Sequence, residues 1–248
     1  MEDLLSQKVE VSDLNKGDHV YTWRKCGFYS HHDAGIFIGD GKIIHFVQTN
    51  KSAILASSSE SSDHSGEYTP CLDESYCRSE TVPGSGVRIT CIACFVKNKK
   101  RFLYRYKYNA SSKFLIAKVR AGTCTTASSD PQETVMHRVN YLYKNGYGEY
   151  HLKNNNCEDF ALYCKTGLWS NDKDRQGRSS QANMVDGYLE LVEELMQGGP
   201  IDHASLIPRL AMVVPKSFAK REKNDLGNRR DVVKVDVKEL SSFISSLN

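Results

Sequence analysis

Two groups of residues in this chain have types and spacings that do chemistry. The first centres on Asn154-Asn155-Asn156-Cys157-Glu158-Asp159-Phe160, where asparagine side chains stand ready to cap a helix that begins at the cysteine. A thiol at a helix N-terminus feels the positive end of the macrodipole, which favours thiolate, the form that attacks carbonyl carbon. Such a nucleophile needs an imidazole to take its proton and a further polar group to orient that imidazole. His31, His32 and His45 are the upstream candidates. The backbone N–H groups of the same helix start are donors for the oxyanion of a tetrahedral intermediate. The competing reading is plain packing, since Cys157, Phe160, Ala161 and Cys164 fall on one helical stripe and cysteine is a small, often buried hydrophobe.

The second group is Cys71, Cys77, Cys91 and Cys94. The last pair has the Cys-x-x-Cys spacing of a zinc knuckle, whereas the first pair is set wider than the roughly two to four intervening residues usual there, with His64 as a substitute ligand. The set allows a structural zinc. The alternative is that Ile89 to Val96 is simply a buried strand. Chemistry at Cys157 itself requires no cofactor.

The elements that must position these residues are legible in part. Gly35-Ile36-Phe37-Ile38 and Lys42-Ile43-Ile44-His45-Phe46-Val47 flank Gly39-Asp40-Gly41, a strong hairpin signal that puts His31 and His32 at the entry of one strand and His45 inside its partner. Leu14 to Asp18 is a turn launching the strand His19 to Arg24, with His19 half-exposed. Arg101 to Tyr108 alternates aromatic and largely basic positions, a half-buried strand, and Leu115 to Val119 is another short apolar run. Asp130-Pro131-Gln132-Glu133 predicts a capped helix start, with Val135, Val139 and Leu142 facing inward, His137 outward and Gly146 as the stop. Tyr147 to Leu152 predicts a strand that delivers the chain to the Cys157 helix, which Gly167 ends. Beyond Trp169 come a polar linker, an amphipathic helix over Val185 to Met196 whose acidic face favours packing over a membrane, a basic stretch from Lys216 to Arg230, and an edge strand over Val232 to Val237. The expected organisation is therefore a domain over 13–168 and a C-terminal region over 169–248.

Composition limits the alternatives. The chain has 248 residues, 40% hydrophobic and 25% charged, which suits a soluble globular protein with one core. A net charge of +3 is too mild to argue for nucleic acid. No apolar run approaches the roughly 18 residues that span a bilayer, and the start lacks the apolar centre of a signal peptide. The expected address is the cytoplasm, where the eight cysteines stay mostly reduced.

Several of these motifs in order resemble one family. Leu14-Asn15-Lys16-Gly17-Asp18-His19-Val20-Tyr21, Tyr29-Ser30-His31-His32, Gly35-Ile36-Phe37-Ile38-Gly39, Ile43-Ile44-His45-Phe46 and Asn156-Cys157-Glu158-Asp159-Phe160 are similar to the LRAT (NC) domain, and Gly122 to Thr166 to its plant branch. The resemblance implies an α+β, permuted papain-like (NlpC/P60) fold in which an antiparallel sheet packs on helices. It implies a cysteine-dependent acyltransferase or phospholipase that takes an acyl group from a glycerophospholipid, peripherally at a membrane surface, through a Cys157 thioester. A catalytically impaired binding or scaffold protein on the same fold is the alternative. His45 becomes the orienting histidine. The base is less direct, because the family places a histidine two residues before the glycine and here that position is Asp33, behind an inserted Asp33-Ala34. His32 serves if a bulge absorbs the extra residue; His31, which shares strand parity with Asp33, is the other candidate.

Overall fold

The computed structural model describes residues 7–26, 29–48, 71, 77, 86–97, 102–117, 122–151, 155–171, 193 and 222–247. The polar segment around Ser57 to Asp63, His64, the linker after Asn171, nearly all of the Val185 to Met196 stretch and the basic stretch from Lys216 to Arg221 lie outside them.

The fold is α+β, built on one antiparallel sheet. Its strands are β1 (Gln7–Lys8), β2 (His19–Cys26), β3 (Tyr29–Gly39), β4 (Lys42–Phe46), β5 (Val87–Cys91) and β6 (Tyr104–Arg105), in the order β1-β6-β2-β3-β4-β5. The central hairpin forms where Asp40 and Gly41 supply the two positive φ angles, 50° and 65°, of a two-residue turn whose twist matches the strands. Gly35 is required for a different reason: a Cβ there would lie 2.6 Å from the Ile43 side chain and 2.7 Å from the Ile44 carbonyl oxygen.

Alternation along the strands divides the apolar residues into two layers. Tyr21, Ala34, Ile36, Ile44, Phe46 and Val87 pack against α3 (Gln132–Asn145) and α4 (Cys157–Thr166). Val20, Phe37 and Ile43 pack on the other side with Leu103 and with Ile92, Phe95 and Val96 of α1 (Ile92–Val96). α4 is the hub of the first layer: of its ten residues all but Lys165 are buried.

Local structure departs from the sequence expectation in several places. The run from Ile89 to Val96 is strand only to Cys91 and then turns into α1. The Arg101 to Tyr108 strand contracts to Tyr104–Arg105, and the Leu115 run lies in α2 (Ser112–Ala117). Between Tyr147 and His151 the described chain forms no strand, only a bridge of His151 with Asn155. Asp130 does not cap α3, because Arg138 and Lys234 take its carboxylate at 2.7 Å and 2.6 Å.

The C-terminal residues return to the body. β7 (Leu168–Ser170) pairs with β8 (Val232–Lys234), and Leu226, Val235, Val237 and Leu240 join the α4 layer, Leu240 opening α5 (Leu240–Leu247). Tyr163 donates to the Val235 carbonyl at 3.1 Å, and Ser170 donates to Asp231 at 2.7 Å while accepting from the buried Arg229. Asp225 anchors the segment further by accepting from Thr125 and Thr126. Among the described residues no helix is long and apolar enough to cross a membrane.

Candidate active site

Asn156 fixes the start of α4. Its side-chain oxygen accepts from the N–H groups of Glu158 and Asp159 at 2.9 Å and 3.1 Å, and Asp159 accepts from the Asn156 N–H at 3.0 Å, a complete capping box. Cys157 is thereby held as the first residue of the helix. Its thiol meets the backbone of β3, donating to the His32 carbonyl oxygen at 3.7 Å, with the Ala34 N–H directed at the sulfur. The described β3–β4 pairing stops at Gly35 and His45, one residue short of this contact.

The helix position alone does not make Cys157 a thiolate. Burial raises its pKa well above that of an ordinary thiol; the Asp33 carboxylate raises it further, and Glu158 and Asp159 add to this. The Ala34 N–H opposes them and is outweighed. Burial likewise raises the Tyr150 hydroxyl, with Cys157 next in effect, which places that phenol beside the sulfur. The Cys157 thiol therefore rests protonated.

Strand register determines which histidine lies where. The β2–β3 pairs run without interruption from His19↔Ile36 to Cys26↔Tyr29, and the single register shift in the hairpin falls between Phe37 and Gly39. No bulge occurs at Asp33. His32 therefore shares a face with its partner Trp23 and with Tyr21: its ring lies 5.3 Å and 4.9 Å from theirs, on the α4 side, with Nε2 3.8 Å from Glu158 Oε2. Glu158 is fully buried and also accepts from Tyr106 at 3.4 Å. His19, expected to be half-exposed, is buried beside them, stacked on Tyr106 at 4.3 Å and bonded to the Tyr108 hydroxyl at 2.8 Å. Burial holds its imidazole neutral, with His32 and Lys165 acting in the same direction.

Asp33 and His45 occupy the opposite face. Gly35 and His45 are cross-strand partners, and the His45 ring sits edge-on to Phe95 at 5.2 Å with Nε2 3.2 Å from Thr90 Oγ1. Burial lowers its pKa to about 4 against the upward pull of Asp33. For Asp33 burial acts upward, but the charge and hydrogen bond of Arg24 outweigh it and hold the carboxyl below its ordinary value. Arg24 Nε donates to Asp33 at 2.7 Å. Its other nitrogens donate to the carbonyls of Val96, at 2.7 Å, and Phe95. Asp33 is the group felt by both the Cys157 thiol and the His45 imidazole. The backbone of His31 pairs with Arg24; its side chain lies outside the described residues.

The structure thus sets Asp33 where its charge acts on both the Cys157 thiol and the His45 imidazole, and turns the His32 ring to the other side of β3. Arg24, Thr90, Tyr150 and Glu158 are site neighbours that sequence reasoning missed. Glu158 adjoins Cys157 and Arg24 lies on the strand paired with β3, but only the register shows what each faces.

The four cysteines also converge. Cys71, Cys77, Cys91 and Cys94 place their sulfurs within 4.8 Å of one another, a donor set able to hold a metal ion.

A capped cysteine helix set against a His-bearing hairpin is what the LRAT family pattern requires, and the family model for lecithin retinol acyltransferase matches residues 12–170. The chain belongs to the LRAT family. Its relatives include Protein LEAD-SENSITIVE 1 of Arabidopsis thaliana, 35% identical over 254 residues that cover 98% of this chain and 92% of the relative. No solved structure matches the chain.

Proposed function

We propose that the protein is a cysteine-dependent acyl-transfer enzyme acting on glycerophospholipid peripherally at a membrane surface, on a permuted papain-like fold. The observation that carries the reading is Cys157 itself, held by a complete capping box at the head of the hub helix, against β3 and next to Asp33. Its sulfur attacks an ester carbonyl as its proton passes to an imidazole. The tetrahedral intermediate then collapses to a thioester on Cys157, and the lysophospholipid leaves as an alcohol after taking up that proton. Water, an amine or an alcohol next attacks the thioester, restoring the thiol.

We assign the proton transfer to His45. It is neutral at physiological pH, and it shares a strand face with Asp33, whose carboxylate stabilises the imidazolium formed on attack. His32, with Glu158, supports the opposite side of β3. A general-base route suits a thiol that rests protonated.

One observation favours a second reading, a catalytically impaired scaffold. A carboxylate stands where the family carries a histidine, and it raises the thiol. Incubation with phospholipid vesicles separates the two. The enzyme releases lysophospholipid, loses this with Cys157→Ala and His45→Gln, and retains it in part with His32→Gln. A scaffold releases none with any of the four chains. The four-cysteine cluster we assign to a structural zinc.

A further inference from the structure

The cysteine cluster lies outside the acyl-transfer site, yet the same short helix borders both. Cys91 caps α1, its sulfur accepting from the Cys94 N–H at 3.4 Å, and Cys77 Sγ accepts from the Cys91 N–H at 3.4 Å. N–H groups aimed at sulfur stabilise thiolate. Cys71 and Cys77 sulfurs are 3.4 Å apart, and all four lie within 4.8 Å. Sulfurs about 2.3 Å from a central ion at the corners of a tetrahedron have edges of about 3.8 Å, so the observed spacing brackets that of a tetrathiolate zinc site. A soft divalent ion bound there takes the sulfurs as thiolates by displacing their protons.

From the cluster, contacts run directly to the hairpin face that carries Asp33 and His45. α1 spans five residues, too few to persist as a helix by itself. Its final carbonyls, on Phe95 and Val96, receive the Arg24 guanidinium that holds Asp33. The Phe95 ring rests on His45, and Thr90, which precedes Cys91, bonds His45 Nε2. The geometry points to a tetrahedral Zn2+ bound by Cys71, Cys77, Cys91 and Cys94 that fixes α1 and, through it, positions Arg24, Asp33 and His45. The inference rests on the zinc and active-site assignments proposed above and adds the physical link between them. The four cysteines are ligands, and Arg24, Phe95 and Thr90 are positioning residues.

The full-length chain, purified under reducing conditions with zinc, is measured for metal content. Its His45 ring nitrogens are then followed by NMR, with His45→Gln assigning the signals. The expected results are one zinc per chain, replaceable by Co2+ with the visible bands of tetrahedral cobalt thiolate, and an affinity about tenfold or more weaker in Cys77→Ser. Removing the metal shifts the His45 signals, and Cys94→His, which keeps a four-ligand set while changing its shape, shifts them too. If the metal-free chain fails to fold, Cys94→His alone decides the coupling. Absence of stoichiometric metal, or a Cys71–Cys77 disulfide in its place, overturns the site. Bound metal with His45 signals indifferent to Cys94→His overturns the coupling. Neither readout depends on acyl transfer, so failure of the catalytic reading is seen separately, in the vesicle assay.

Discussion

Replacing Asp33 by asparagine tests the electrostatics of the site at its most unusual residue. The substitution keeps the shape, leaves a carbonyl for Arg24 Nε and removes the charge that ranks second only to burial in raising Cys157. A unit charge about 5 Å from a thiolate, at an effective dielectric of about 20, contributes about 3 kcal/mol. That is about 2 pKa units. The Asp33 side chain is 31% exposed, so solvent screening reduces the expected fall to about 1–2 units. The thiolate fraction then rises about 10- to 100-fold at any pH below the thiol's pKa. A Brønsted coefficient of about 0.4–0.5 removes part of the gain, leaving a net increase of about 3- to 16-fold in alkylation rate. The assay is iodoacetamide modification of the Cys157 peptide, resolved by mass spectrometry, for native and Asp33→Asn chains of matched circular dichroism. An unchanged or slower rate refutes the reasoning.

Other consequences follow from particular contacts. His45 is lowered from an ordinary 6.5 to about 4, chiefly by burial, so below about pH 6.5 the unfolded chain binds a proton that the folded chain refuses until about pH 4. Stability is therefore lost as pH falls through that window. From urea unfolding at about pH 7 and about pH 4.5, the native chain is expected to lose about 2–3 kcal/mol more than His45→Gln, in which the His19 contribution remains and cancels. Gly35→Ala places a methyl group 2.6 Å from the Ile43 side chain and is expected to cost about 1–3 kcal/mol in the same assay, with loss of the hairpin rather than a local adjustment as the extreme outcome. Truncation after Asn171 keeps the family-matched region but removes Leu226, Val235, Val237 and Leu240 from the core. At about 1.5–3 kcal/mol for each buried aliphatic side chain, this loss rivals a whole domain's stability of about 5–15 kcal/mol. The truncated chain is expected to be insoluble or to lack cooperative melting, and a sharp transition near that of the full chain would contradict this.

The elements legible in the sequence were those specified by local chemistry. Asp40-Gly41 dictates a hairpin because two adjacent residues must take positive φ, and Asn156 with Asp159 dictates a helix start because each satisfies the other's free N–H. Where the deciding partner lay far along the chain, the sequence was silent. An apolar run such as Ile89 to Val96 reads equally as strand or buried helix. It changes form at Cys91 because that sulfur caps the next turn. Asp130 has the position of an N-cap, but Arg138 and Lys234 take its carboxylate. His19 reads as half-exposed until Tyr106 and Tyr108 cover it, and Glu158 is buried with Tyr106 as its donor. At the candidate site, the capping pattern pointed to a helix start at Cys157 and the Asp40-Gly41 pair to the hairpin. Which side chain faced the thiol depended on whether β3 carried a bulge beside Asp33, which a single sequence does not encode visibly.

The central claim is a covalent one, that Cys157 carries an acyl group during turnover. Its most direct test is intact-mass spectrometry of the full-length protein quenched in acid during incubation with phospholipid vesicles of one defined acyl chain. The account predicts a species heavier by that acyl group less one hydrogen, mapped to the Cys157 peptide, discharged by hydroxylamine and absent from Cys157→Ala. A chain that stays unmodified while lysophospholipid accumulates, or an adduct that persists in Cys157→Ala, would contradict it.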